Sequence, residues 1–173
     1  MKRILIIGCG GSGKSTLALK LGEILGIEVI HLDVHYWKPG WTMRPLEEWE
    51  PILKSLVEKE EWIMDGNFHD SLPMRIEASD TIIFLDMPRG VQLKGIFGRL
   101  IRYYKKRRPD IPKGCKEEVD WGFIKWVWSF NKKIRPGVLK ILDRYRDKRE
   151  IVILKNRKEV DRFVEVFEKE ANK

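Results

Sequence analysis

The 173-residue sequence predicts a doubly wound α/β domain, and three observations carry that prediction. Five short apolar runs, Ile4–Ile7, Val29–Leu32, Trp62–Met64, Ile82–Leu85 and Ile151–Leu154, do not alternate with polar residues. Strands covered on both faces of a parallel sheet read in this way. The segments between them repeat apolar residues at helical spacing, and a glycine-rich turn joins the first run to the first such segment. No repeat, low-complexity tract or linker interrupts the pattern, so residues 1–173 are expected to form one domain.

Taken in order, Ile4–Ile7 is the first strand, and Leu17, Leu21, Ile24 and Leu25 mark the buried face of the first helix. Val29–Leu32 is the second strand. The stretch from Leu46 to Glu60 is helical but contains Pro51, so two short helices or one kinked helix are expected. Trp62–Met64 and Ile82–Leu85 are the next strands. After Pro88, Leu93, Phe97, Leu100 and Tyr104 outline another helix. Pro109, Pro112 and Gly114 break the pattern, which makes residues 105–116 a loop between helices. The next helix carries Trp121, Ile124 and Trp128 on one face, with Phe123, Trp126, Phe130 and Ile134 nearby on another. A helix aromatic on two faces is expected to be mostly buried, as core rather than a base-stacking surface. Ile151–Leu154 is the last strand, and Val160, Phe163, Val164 and Phe167 face it from the last helix.

The composition, 43% hydrophobic and 35% charged, supports a packed core. No apolar run approaches the ~18–20 residues of a membrane span, and no leader-type segment precedes the first strand. Two cysteines, Cys9 and Cys115, without CxxC or HExxH, exclude a disulfide scaffold and a structural zinc site and fit a cytoplasmic setting. His31, His35 and His69 lack metal-ligand spacing. The net charge of +8 is unevenly spread: residues 89–116 hold ten basic side chains against one acid, whereas residues 1–88 are net acidic. Such a block suits an anionic ligand or partner, or a solvated helix face.

The strongest chemical signal is Gly8-Cys9-Gly10-Gly11-Ser12-Gly13-Lys14-Ser15, a GxxxxGK[ST] loop between a strand and a helix. Glycines let the loop wrap a phosphate with its backbone N–H groups turned inward, and the helix N-terminus adds a positive dipole end. Gly8, Gly10, Gly11, Ser12, Gly13, Lys14, Ser15 and Thr16 are therefore candidate nucleotide-binding residues. Lys14 is placed to reach the β- and γ-phosphates of ATP, and Ser15 to ligate Mg²⁺. The same residues contain GxGxxG, with Asp33 twenty residues past Gly13, as a dinucleotide site requires. That reading leaves Lys14 and Ser15 without a role.

Three acids fall at or just beyond predicted strand ends, the edge where open α/β sheets bind ligands. Asp65 is a candidate Mg²⁺ ligand, or else caps the following turn. Asp33, followed by Tyr36, Trp37 and Trp41, is a candidate for taking the proton of an acceptor hydroxyl, or else caps a turn or helix. Asp86 reads as a capping residue before Pro88. Arg99 and Arg102, with Lys106, share a helical face opposite Phe97 and Leu100 and are candidates for neutralising charge on a transferring phosphate. With Lys105, Arg107 and Arg108 they would equally serve nucleic-acid binding. Asn156-Arg157 is a candidate base-side loop.

Together, the loop, His31-Leu-Asp33, Trp37-Lys-Pro-Gly-Trp41, Trp62-Ile-Met-Asp-Gly-Asn67 and Ile82-Ile-Phe-Leu-Asp-Met-Pro88 resemble the bacterial DNA topology modulation proteins. The likeness continues through Arg107-Arg108-Pro109-Asp110, Asp120-Trp121 and Trp126-Val-Trp128. Those proteins are related to adenylate kinase, shikimate kinase and other small-molecule kinases. The resemblance implies a three-layer P-loop sandwich with a five-stranded parallel sheet in the order 2-3-1-4-5 and a basic lid at about residues 102–120. It implies that Asp65 orients Mg²⁺-bound water, that Asp33 contacts the acceptor hydroxyl, and that Arg99 and Arg102 act from the lid side. Adenylate kinases follow their Asp-Gly with Phe-Pro-Arg. Here Asn67-Phe68-His69 stands instead, so AMP is not the expected acceptor. The expected activity is transfer of the γ-phosphate of ATP, with Mg²⁺, to a small-molecule acceptor. An ATP-gated nucleic-acid-binding regulator using residues 89–116, and a plain NTPase, are the alternatives. No membrane partner is expected, and the oligomeric state is open.

Overall fold

The computed structural model describes residues 1–103, 110–115 and 120–171. The chain folds around β1 (Arg3–Gly8), whose residues Ile4, Leu5, Ile6 and Ile7 are essentially inaccessible to solvent. A strand apolar on both faces needs a layer on each side, and it has one. Ile4 and Ile6 face α1 (Lys14–Leu25) and α8 (Arg157–Ala171) in a cluster with Leu17, Ala18, Leu21 and Val164. Leu5 and Ile7 face the opposite way. There they meet Trp49, Leu53 and Leu56 of α3 (Leu46–Val57), Leu72 and Ile76 of α4 (Leu72–Ala78), and Val138 and Leu142 of α7 (Arg135–Arg144). Fully burying each such side chain is worth roughly 1.5–3 kcal/mol, so these two layers hold the sheet.

The remaining sheet strands are β2 (Val29–His31), β5 (Trp62–Asp65), β6 (Thr81–Leu85) and β7 (Glu150–Leu154). All pair in parallel, in the spatial order β2-β5-β1-β6-β7. Counted among the five sheet strands this is 2-3-1-4-5, the order implied by the kinase resemblance. It is not the 3-2-1-4-5 order of the dinucleotide-binding fold, so the GxGxxG reading fails on topology.

Several expectations are corrected here. The second strand stops at His31, and Leu32–Tyr36 turns into a short helix, α2, that holds Asp33 in its first turn. A small antiparallel hairpin then follows, β3 (Trp37–Lys38) and β4 (Thr42–Met43), which the apolar pattern did not reveal. Of the two arrangements expected around Pro51, one helix forms, α3, in which Pro51 is exposed while Trp49, Leu53, Leu56 and Val57 are buried. Helices α5 (Arg89–Arg102) and α6 (Trp121–Lys133) pack on each other and over the glycine loop. Their buried residues are Gln92, Ile96, Val127 and Phe130. On α6 Trp121 is 76% exposed and Trp128 55%, so the expected burial of both its faces is overturned, and Phe97 of α5 is 48% exposed. The reason is that α6 buries one face only, against the glycine loop and α5, and leaves Trp121 and Trp128 largely in solvent on the other. Of the lid expectation, residues 104–109 and 116–119, including Lys105, Lys106, Arg107 and Arg108, lie outside the described residues. Among the described residues no helix is long and apolar enough to cross a membrane.

Candidate active site

The loop from Gly8 to Gly13 leaves the C-terminal end of β1 and enters α1. Gly11 (φ 72°) and Gly13 (φ 96°) take left-handed conformations that L side chains rarely adopt. A side chain at Gly11 would strike the backbone carbonyl of Gln92, and one at Gly13 the guanidinium of Arg157. Gly13 is also the N-cap of α1, and no side chain caps that helix. Its leading N–H groups are thus arranged for an anion at the helix N-terminus. Ser12 is fully buried, and its hydroxyl has no hydrogen-bond partner among the described residues. A buried, unsatisfied donor inside a glycine cradle is what a phosphate oxygen would complete, so the residues fit a nucleotide phosphate chain.

The Lys14 ammonium donates to the Cys9 carbonyl at 3.0 Å, which folds it back over the loop. Burial lowers its pKa, while the charges of Asp65 and Asp33 act to raise it and that of Arg99 to lower it. Asp65, Asp33 and Arg99 therefore lie within electrostatic reach of the Lys14 ammonium. Asp65, at the end of β5, is only 4% exposed and meets His31 Nδ1 at 2.8 Å across the β2–β5 pairing. Burial lowers the His31 pKa, but the hydrogen bond to Asp65 and the charges of Asp65, Asp110 and Asp33 outweigh it, so the ring titrates above its ordinary value. His31 was not assigned a role in the sequence. Its position opposite Asp65 depends on pairing across 34 residues. The Cys9 thiol is pushed up to about 12 by burial and is therefore inert.

Arg99 lies 5.8 Å from the centroid of Phe123, the residue that packs against Gly10. Arg102, the last residue of α5, is exposed. Ser15 and Thr16 occupy the first turn of α1, Ser15 partly buried and Thr16 exposed. No cluster of three or more His, Cys, Asp or Glu suited to a metal ion occurs among the described residues. A Mg²⁺ site here would draw on Ser15, Asp65 and the phosphates of a bound nucleotide, which is how that ion is ordinarily held.

The region beyond Asp33 is aromatic. Tyr36 contacts Trp37 (5.0 Å), Trp49 (5.2 Å) and Phe68 (4.6 Å), and Trp37 contacts Trp41 (5.8 Å). The hairpin tip is tied to the segment holding Gly114 and Cys115. Gly40 N donates to the Gly114 carbonyl (3.2 Å), and the Cys115 thiol to the Lys38 carbonyl (3.4 Å). Under this wall lies Arg75, completely buried, whose guanidinium donates to the Gly66 and Phe68 carbonyls and to the Ser71 hydroxyl. It fixes the loop that continues from Asp65. A lone arginine in an amphipathic helix gives no sequence signal for this.

One minor expectation is also corrected. Asp86 does not cap a helix. It forms a bidentate ion pair with Arg135 at the start of α7 (2.6 and 2.8 Å), and Pro88 precedes α5. Of the candidate base-side pair, Asn156 forms a reciprocal cap with Glu159, and Arg157 lies against Gly13 of the loop.

No family model matches the chain. It is 29% identical over 131 residues to the uncharacterized protein YqaC of Bacillus subtilis strain 168, covering 73% of this chain and 71% of that protein. Its fold is similar to that of shikimate kinase from Acinetobacter baumannii in complex with shikimate (TM-score 0.57, 17% identity, 96% of this chain and 90% of that one). It is also similar to deoxyadenosine kinase from M. mycoides with products dCMP and a flexible dCDP bound (TM-score 0.55, 15% identity, 98% of each chain). The form of that enzyme with bound dATP matches with a TM-score of 0.51 at 15% identity, over 98% of this chain and 99% of that one. At these identities the likeness establishes the fold, the α/β architecture of the P-loop kinases.

Proposed function

We propose that the chain is an ATP-dependent phosphotransferase that moves the γ-phosphate to a small-molecule acceptor. One observation carries this reading: Asp33, Asp65 and Arg99 all act on the Lys14 ammonium beside an uncapped helix N-terminus. A simple nucleotide-binding loop needs Lys14 and one metal-side acid. A second acid beside an aromatic wall suits an acceptor hydroxyl. The solved relatives whose names include shikimate and deoxyadenosine kinases act in the same fold, which supports the class without naming the acceptor.

In this reading Gly8, Gly10, Gly11, Ser12, Gly13 and Thr16 cradle the phosphates with backbone N–H groups and the Ser12 hydroxyl. Lys14 exchanges the Cys9 carbonyl for the β- and γ-phosphate oxygens and stays with the γ-group as charge moves across it. Ser15 and Asp65 hold Mg²⁺, which when bound neutralises the phosphate oxygens. His31 keeps the Asp65 carboxylate oriented, as an outer-shell partner does. Asp33 accepts the proton of the acceptor hydroxyl, or fixes its direction of attack. Arg99 supplies positive charge from α5, and Arg102 joins it from the lid side. The aromatic hairpin and the lid segment Asp110–Cys115 shield the acceptor from water.

The test is incubation with γ-labelled ATP and Mg²⁺ against nucleosides, nucleotides and small hydroxy compounds, with Lys14→Ala as control. Label on one acceptor class, lost in the variant, is the expected result. Label released only as inorganic phosphate would leave an NTPase.

A further inference from the structure

We propose that the outer face of α5 and α6 is a binding surface for single-stranded nucleic acid, separate from the phosphotransfer site. Three observations meet there. First, large apolar side chains stand in solvent: Phe97 (48%), Ile101 (80%), Trp121 (76%) and Trp128 (55%). Exposed contiguous apolar surface marks a docking site, and three of these four side chains are aromatic.

Second, they share one surface. The Arg89 guanidinium lies 4.4 Å over the Trp128 ring, Gln92 bonds Asn131, and Arg99 meets Phe123, so the two helices run antiparallel. Residues 97 and 101 repeat at i, i+4 on α5, and 121 and 128 at i, i+7 on α6. Their buried faces, Gln92 and Ile96 against Val127 and Phe130, turn inward, and Gly95 and Phe123 pack on the glycine loop. The exposed rings therefore lie on the far side of the helix pair from the phosphate cradle.

Third, the two helices carry charge of one sign, and the one acid flanking α6 among the described residues, its N-cap Asp120, is engaged by the Gly122 and Phe123 N–H groups. Between Arg89 and Arg102, and between Trp121 and Lys133, the helices carry seven basic side chains and no acid. A second copy of this chain docked on the same face would set these cations against each other. A polyanion with stackable rings satisfies both features at once: bases stack on Trp121, Trp128 and Phe97, and phosphates meet Lys94, Lys125 and Lys132. Trp121 and Trp128 are two helical turns apart, on the order of 10 Å, a span of one to two nucleotides. A duplex keeps its bases stacked inside and offers these rings no partner.

The experiment measures anisotropy of labelled oligothymidylate and oligouridylate with the full chain, without ATP. The expected result is binding at low salt that weakens at least tenfold between about 50 and 200 mM salt, with quenched tryptophan fluorescence. Trp121→Ala with Trp128→Ala should weaken it at least tenfold. Lys94→Gln with Lys125→Gln and Lys132→Gln, which keeps every ring, should flatten the salt dependence. Neither set should alter ATP-dependent label transfer, and the glutamine set serves if the alanine pair fails to fold. Absence of oligonucleotide binding, or binding equal in all variants, overturns the proposal. So does binding of phosphatidylserine vesicles without binding of oligonucleotides. Dimerisation abolished by the tryptophan pair overturns it as well.

Discussion

The two ends of the sheet hold similar side chains in opposite states. At the N-terminal end Asp80 accepts from the backbone N–H of Lys2 (2.7 Å) and of Arg3 (2.9 Å) and from the Thr81 hydroxyl (2.7 Å). It staples the start of β1 to β6, and its hydrogen bonds hold the carboxylate below its ordinary range despite the opposing effect of burial. At the C-terminal end the Ser12 hydroxyl is buried without a described partner, and burial lowers the pKa of Lys14 among two carboxylates and Arg99. The difference separates structural from functional polarity: one end is closed by its own backbone, the other is arranged for groups the chain does not supply.

Mutations should break this comparison unequally. Lys14→Ala should lower label transfer by about 10³-fold, the scale of losing a transition-state donor, without lowering the melting temperature, because a desolvated cation is removed. A melting temperature that falls by many degrees would make Lys14 structural. Arg75→Met comes next. It strands the Gly66 and Phe68 carbonyls, and denaturant titration should show a loss of about 3 kcal/mol. Asp80→Asn should cost about 1 kcal/mol, discounted because the residue is exposed, with transfer unchanged.

The smallest effect sharpens the contrast through pH. The folded pKa of His31 is raised, so its contribution is fully present below the unfolded value of about 6.5 and fades as pH rises through the folded one. That of Asp80 is depressed, so its contribution is present above about 3.9 and fades as pH falls through the folded value. In Mg²⁺-free melts His31→Asn should therefore destabilise more at about pH 5.5 than at about pH 8.5, whereas Asp80→Asn should cost the same at both. An equal effect of His31→Asn at both pH values would remove the ion pair from the account.

What the sequence disclosed follows from range. The glycine loop is local, and Gly8 to Ser15 were readable because eight consecutive residues define both the turn and its chemistry. The apolar runs of β1, β5 and β6 were readable because strands buried on both faces leave few polar positions, and β7 because its run Ile151–Leu154 is wholly apolar. Their order came from resemblance, since runs alone do not state their neighbours. The Arg135–Asp86 pair spans 49 residues and the His31–Asp65 contact 34, beyond any local pattern. The aromatic helix α6 was misread because periodicity defines faces but not which of them meets protein. The hairpin from Trp37 to Met43 has two-residue strands, too short for alternation to show.

The most direct test of the central claim is label transfer from ATP by Asp33→Asn, with Mg²⁺·ATP affinity measured in the same preparation by calorimetry. If the acids divide as argued, ATP affinity is kept while transfer to the acceptor falls by about 10²-fold or more. Transfer at the wild-type rate in Asp33→Asn would contradict an acceptor site at the end of β2.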